Sequence, residues 1–158
     1  MKTNQFLYKI TILSIVLFSS VTAFAQNIDL DAYKWQHRIV LVISEAENTA
    51  LYKKQLKEFK KDTKGFTERK LLVFDIKKDK FRKIIYRDSD FEVGKWEAST
   101  ETYHTFSDKY SVFKTVLIGL DGGVKRVFKN ELLKMETLFT IIDGMFMRKQ
   151  EMKKGRNL

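Results

Sequence analysis

At 158 residues, 44% of them hydrophobic and 13% aromatic, the chain carries enough apolar material for one folded core. Thirteen Phe, six Tyr and two Trp exclude a disordered chain even though 32% of the residues are charged. The absence of cysteine excludes thiol–disulfide chemistry, the absence of proline excludes a cis-proline loop, and a net charge of +10, with an isoelectric point near 9.7, favours anionic partners.

The chain opens as an export signal. Lys2 and Lys9 supply positive charge, and residues 10–20 form an apolar run, broken by Thr11 and Ser14, that is too short to span a bilayer. Ala23-Phe24-Ala25 provides the small-x-small cleavage pattern, which predicts a mature chain starting at Gln26 in the periplasm or outside the cell. Removing this segment takes away Lys2 and Lys9 and no acid, so the charge falls from +10 to +8. The folded domain is expected over 26–152, with a basic tail at 153–158.

Ile39-Val40-Leu41-Val42-Ile43 is apolar without alternation and rich in β-branched residues, the pattern of a strand buried on both faces. Asn48 is placed to cap a helix that carries Leu51, Tyr52, Leu56 and Phe59 on one side and Lys53, Lys54, Lys57, Lys60, Lys61 and Lys64 elsewhere, with Gly65 as its stop. Leu71-Leu72-Val73-Phe74-Asp75-Ile76 is a second buried strand, which predicts a right-handed parallel βαβ unit. Ile84-Ile85-Tyr86 suggests a short extra strand. Trp96, Tyr103, Phe106, Tyr110 and Phe113 recur at helical spacing and predict a helix over about 97–110. A strand at 115–120 and one at 124–128 flank the turn Asp121-Gly122-Gly123 and are expected to pair antiparallel. Asn130 is placed to cap a last helix bearing Leu132, Leu133, Leu138, Phe139, Ile141 and Ile142, ending at Gly144. The order βαβ then αββα predicts an α/β fold of thioredoxin-like plan, a central mixed sheet flanked by helices.

Three stretches carry a family resemblance. Asp31-Ala32-Tyr33-Lys34-Trp35-Gln36-His37-Arg38, Leu117-Ile118-Gly119-Leu120-Asp121-Gly122-Gly123-Val124-Lys125 and Ile141-Ile142-Asp143-Gly144-Met145-Phe146-Met147-Arg148-Lys149-Gln150-Glu151-Met152 resemble the bacterial family known as domain of unknown function 4174. The matching motif positions are Trp35, Arg38, Gly119, Asp121, Gly122, Lys125, Arg148 and Glu151. The resemblance implies a thioredoxin-like fold, a likeness to domains found beside sushi repeats in animal extracellular-matrix proteins, and no assigned activity. Where the family has Met-Pro-Met, this chain has Met145-Phe146-Met147.

Chemistry-bearing clusters are few. The junction where a thioredoxin-like fold places its redox centre reads Ser44-Glu45-Ala46-Glu47-Asn48, whose carboxylates suit a helix start rather than an anion site. His37 and His104 stand in no ligand-spaced cluster. Asp88-Ser89-Asp90-Phe91-Glu92 begins like a calcium loop, but Val93 and Ser99 occupy the sixth and twelfth places, so it reads as a solvated turn. No metal or other cofactor is implied. The positive signal is basic: Lys53, Lys57, Lys60 and Lys64, and a second cluster that includes Arg148 and Lys149. The leading reading is an exported, non-redox binding or structural module whose partner is an anionic lipid or glycan. Nucleic acid is disfavoured because the aromatics fall on apolar stripes. The alternative is an enzyme of non-thiol chemistry at the C-terminal edge of the parallel strands, with Ser44, Glu45 and Asp75 as its first suspects.

Overall fold

Seven consecutive buried residues, Arg38–Ser44, form strand β1, and the structure shows why none of them alternates with a polar partner. Val40 and Val42 face one core, Ile39, Leu41 and Ile43 face another, and both are covered. A computed structural model describes residues 27–46 and 49–155. The export signal, the Asn48 cap and the end of the basic tail lie outside these residues.

After a 3-10 turn at Asp31–Tyr33, the elements run β1, α1 (Ala50–Glu58), α2 (Thr63–Glu68), β2 (Leu71–Ile76), β3 (Lys80–Tyr86), β4 (Phe91–Val93) and β5 (Glu97–Ala98). They continue as α3 (Glu101–Phe106), β6 (Phe113–Ile118), β7 (Val124–Lys129), α4 (Met135–Asp143) and α5 (Phe146–Gly155). The sheet has seven strands, ordered β4-β3-β2-β1-β6-β7, with β5 also paired to β3. β1 and β2 are parallel neighbours and β6 pairs antiparallel with β7, as expected from the sequence, and β6 also pairs antiparallel with β1. The chain is therefore an α/β protein built on a mixed sheet. Helices α1, α2 and α4 cover the face of Val40 and Val73, whereas the 3-10 turn and α3 cover the face of Leu41 and Phe74. No helix among the described residues is long and apolar enough to cross a membrane.

Several local expectations are corrected. The single helix expected to run to Gly65 breaks after Glu58, because the Asp62 carboxylate accepts the Gly65 N–H at 2.8 Å and starts a new helix there. Gly65 is thus inside α2, where a Cβ would stand 2.5 Å from the Phe139 ring; its smallness serves packing and not a stop. Thr49 caps α1 by accepting the Tyr52 N–H.

The helix expected over 97–110 is confined to Glu101–Phe106. Residues 97 and 98 are instead taken into the sheet by Phe81 and Lys80, and an Asp108 side chain that accepts from Tyr110 N and Ser111 Oγ turns the chain out of the helix. Tyr110, read as part of the apolar stripe, is exposed. The extra strand expected at 84–86 extends back to Lys80, and the 88–92 segment forms the β3–β4 hairpin.

Asn130 caps no helix. It sits at φ 54 behind β7, where its Oδ1 accepts the Phe113 N–H. α4 begins five residues later, and its start is held from outside: Gln55 exchanges two hydrogen bonds of 2.8 Å with the Leu133 backbone, and Glu58 Oε1 accepts the Met135 N–H. Lys61, bonded to the same carboxylate at 2.6 Å, holds Glu58 below the usual carboxylate value of 4.5, with the Met135 N–H adding to it against burial. Asp108 is likewise held well down, chiefly by Ser111 and Lys129.

A depressed folded pKa contributes stability above the unfolded value, lost as pH falls through the folded one. Thermal melts should therefore be flat from neutral pH to about 5 and fall as acid passes the ordinary carboxylate range. Glu58→Gln should lower the melting temperature at pH 7 and shrink that acid fall. An unchanged acid limb would mean that Glu58 does not couple α1 to α4.

The end of the expected domain and the start of the expected basic tail form one helix, α5, from Phe146 to Gly155. Phe146 is its first residue, a position where proline is also favoured because the N–H there has no intrahelical partner. Phe for Pro in the Met-x-Met motif therefore leaves the turn in place. Met145 N donates to Ile142 O at 2.9 Å behind the Gly144 cap.

Candidate functional site

The first candidate lies where the sequence placed an active edge, at the C-terminal ends of β1 and β2. Asp75 points to the α1 side of the sheet and is fully buried. Its Oδ2 accepts from Tyr52 OH at 2.7 Å and from Arg82 Nε at 2.9 Å, and Lys77 Nζ stands 3.3 Å from Oδ1. Lys77 also lies over the Tyr52 ring at 3.0 Å, and Arg82 stacks on Trp96 at 4.2 Å. Burial, then the negative charge of Asp75, pushes the Tyr52 hydroxyl above its ordinary value, so it stays a donor to the carboxylate. Two cations and a phenol thus close around one buried carboxylate.

The other two suspects at this edge are separately occupied. The buried Ser44 hydroxyl donates to Ala46 O at 2.8 Å, and the exposed Glu45 faces Lys78 at 3.8 Å. Among the described residues nothing aligns Ser44 with a base. His37 is half-buried against the edge of Tyr33, and burial draws its pKa down; His104 is exposed on α3.

The second candidate is the lysine side. Lys53, Lys54 and Lys57 on α1, Lys60 and Lys61 in the following turn and Lys64 on α2 are all exposed, while Tyr52 and Phe59 are buried and Leu51 and Leu56 pack against the same core. Lys60 stands over the Phe91 ring at 4.8 Å, Lys61 pairs with Glu58, and Lys64 is 4.0 Å from Glu68. Among the described residues no ion pair holds Lys53, Lys54 or Lys57.

Arg148 and Lys149 do not behave alike. Lys149 is exposed, but Arg148 is bound to Asp143, to Glu68 O at 2.8 Å and to Glu151 at 3.5 Å, as part of the fold.

The third candidate was not singled out as a site in the sequence, although its residues were named one by one as motif positions. They meet at the opposite end of the sheet, around the start of β1. Trp35 adopts φ 65 and donates its N–H to Leu120 O at 2.7 Å, tying the leader of β1 to the β6–β7 turn. In that turn Gly122 adopts φ 79, which favours glycine, and Gly119 leaves room for the Lys125 side chain. Lys125 pairs with Asp121 at 2.6 Å and holds that carboxyl below its ordinary range.

Arg38 opens β1 with a side chain that is 0% exposed, its Nη1 bonded to Arg69 O at 3.0 Å and to Glu151 Oε2 at 3.2 Å. Glu151 is shared with Lys70 and Arg148, and Asp143 is shared by Arg69 and Arg148. A cavity of about 230 Å³ is lined by Arg38, Leu120, Asp121, Lys125, Met145, Phe146 and Met147. The signal that would have found this site is an arginine at the head of an otherwise apolar buried strand.

No curated protein and no solved structure matches the chain. The family model described as domain of unknown function (DUF4174) matches residues 29–151, a span that takes in the first two motif stretches and all of the third but Met152, and the chain belongs to that family.

Proposed function

We propose that the protein is an exported, non-redox module of the cell envelope or extracellular space, with a thioredoxin-like core, that binds an anionic lipid or glycan surface through its lysine side. The strand order β2-β1-β6-β7, with a parallel pair at one end and an antiparallel hairpin at the other, supports the thioredoxin-like reading. The export reading rests on the sequence of residues 1–25. The observation that carries the binding role is the division of α1: buried Tyr52 and half-buried Leu51 and Leu56 on one side, exposed Lys53, Lys54 and Lys57 on the other. Lys53 and Lys57 stand at i,i+4, where like charges cost a few tenths of a kcal/mol that a polyanion relieves.

Co-sedimentation with anionic vesicles and retention on heparin test the two partner chemistries separately. Binding should be strong at about 0.01 M salt and weak at about 0.15 M, as the Debye length shrinks from about 30 to about 8 Å. A Lys→Gln quadruple variant at positions 53, 57, 60 and 64 should lose most of it without loss of fold. Equal binding by that variant would reduce the lysine side to a solvated surface.

A further inference from the structure

The Arg38 cavity differs in kind from the lysine side of α1. Among the described residues only Nη1 of the three guanidinium nitrogens is engaged; Nε and Nη2 are buried and make no hydrogen bond there. These two lie on one edge of the planar group, with parallel N–H bonds spaced to meet the two oxygens of a carboxylate. Buried donors left unmet are unfavourable, so this edge attracts a planar anion once a side chain of the cavity wall moves aside to uncover it, neither nitrogen being open to water as the wall stands. The surrounding charge agrees. Around Arg38, Arg69, Lys70 and Arg148 the paired carboxylates are Asp143 and Glu151, four cations sharing two anions among the described residues. Most of the wall is apolar, from Leu120, Met145, Phe146 and Met147, and the Asp121 carboxylate beside it is already paired with Lys125. A fully hydrated anion such as phosphate would gain nothing from those apolar side chains.

We propose that this cavity binds a small monocarboxylate with an apolar tail, the carboxylate on the Nε–Nη2 edge of Arg38 and the tail against Leu120, Met145, Phe146 and Met147. At about 230 Å³ the space suits a fragment and not a cofactor. Phe146 and Met147 also wall an adjoining recess of about 260 Å³ with Gln150 and Lys154, which gives a longer tail room to continue.

Calorimetric titration of the full chain tests this with hexanoate, a free aliphatic acid, and N-acetylleucine, which represents a peptide C-terminus. Saturable binding of either supports the site, and the tighter one identifies the source of the ligand. Hexanamide and inorganic phosphate, each lacking one half of the chemistry, should bind at least about tenfold more weakly, the equivalent of one charged hydrogen bond. Arg38→Lys, which keeps the charge and loses the two-pronged edge, should weaken binding by about ten- to a hundredfold. Arg38 also ties β1 to α5, so Met147→Glu supplies a variant outside the buried core: its carboxylate competes for the same edge and should abolish binding. Absence of saturable binding of both acids, phosphate binding as tightly as the acids, or full affinity in Met147→Glu would each overturn the proposal.

Discussion

Replacing Asp75 by alanine is expected to destabilise the protein by about 3–5 kcal/mol, the cost of stranding buried charges whose partner has been removed. Lys77 is only 2% exposed and Arg82 about one-fifth exposed, and Asp75 is the carboxylate common to both. Among the described residues their transfer out of water is offset by that carboxylate, by the Tyr52 hydroxyl and by stacking on Tyr52 and Trp96. Tyr52→Phe, which removes one hydrogen bond and leaves the charges paired, should cost about 1–2 kcal/mol. Urea unfolding followed by circular dichroism separates the two. If Asp75→Ala cost less than Tyr52→Phe, the cluster would not be the brace described, and an open catalytic role for Asp75 would have to be reconsidered.

Truncating Phe66 to alanine should be equally severe, about 3–5 kcal/mol, through lost burial and the cavity left behind. Phe66 is 0% exposed and stands among three rings: Tyr86 stacked at 4.2 Å, Phe59 at 5.3 Å and Phe139 at 5.5 Å. It joins α1, α2, β3 and α4, so the space it leaves cannot be closed by one neighbour moving in. Phe66→Leu should recover roughly half or more of the loss, since most of the apolar volume returns. A loss near 1 kcal/mol in Phe66→Ala would show that the α1–α2 corner collapses onto the cavity.

The α/β class and the central pairing were legible in the sequence for a simple reason. Five contiguous apolar residues at 39–43 and an apolar run at 71–76, broken by the buried Asp75, can satisfy their backbone only inside a sheet covered on both faces, and a helix-length segment between them forces a parallel crossover. The hairpin at Asp121-Gly122-Gly123 was legible because Gly122 needs a positive φ.

The family motif positions were legible as residues too, but their convergence was not. Trp35, Arg38, Lys125 and Glu151 are brought together by β1, the β6–β7 turn and α5, which pack at one end of the sheet. Spacing along the chain does not encode that meeting.

Local signals misled wherever a tertiary partner outbid them. The helical stripe at 97–110 yielded its first residues to the edge of β3, and Asn130 gave its side chain to Phe113. The start of α4 is held by Gln55 and Glu58 from another helix. By itself, then, the sequence determined which segments are buried strands, which helix side is basic, and that no thiol is present. Tertiary structure alone decided that Asp75 is enclosed by cations, that Arg148 is a brace and not a free charge, and that Arg38 keeps one edge unmet beside an apolar cavity. Burial and long-range hydrogen bonding set those outcomes, and both depend on which distant residues arrive at the same place.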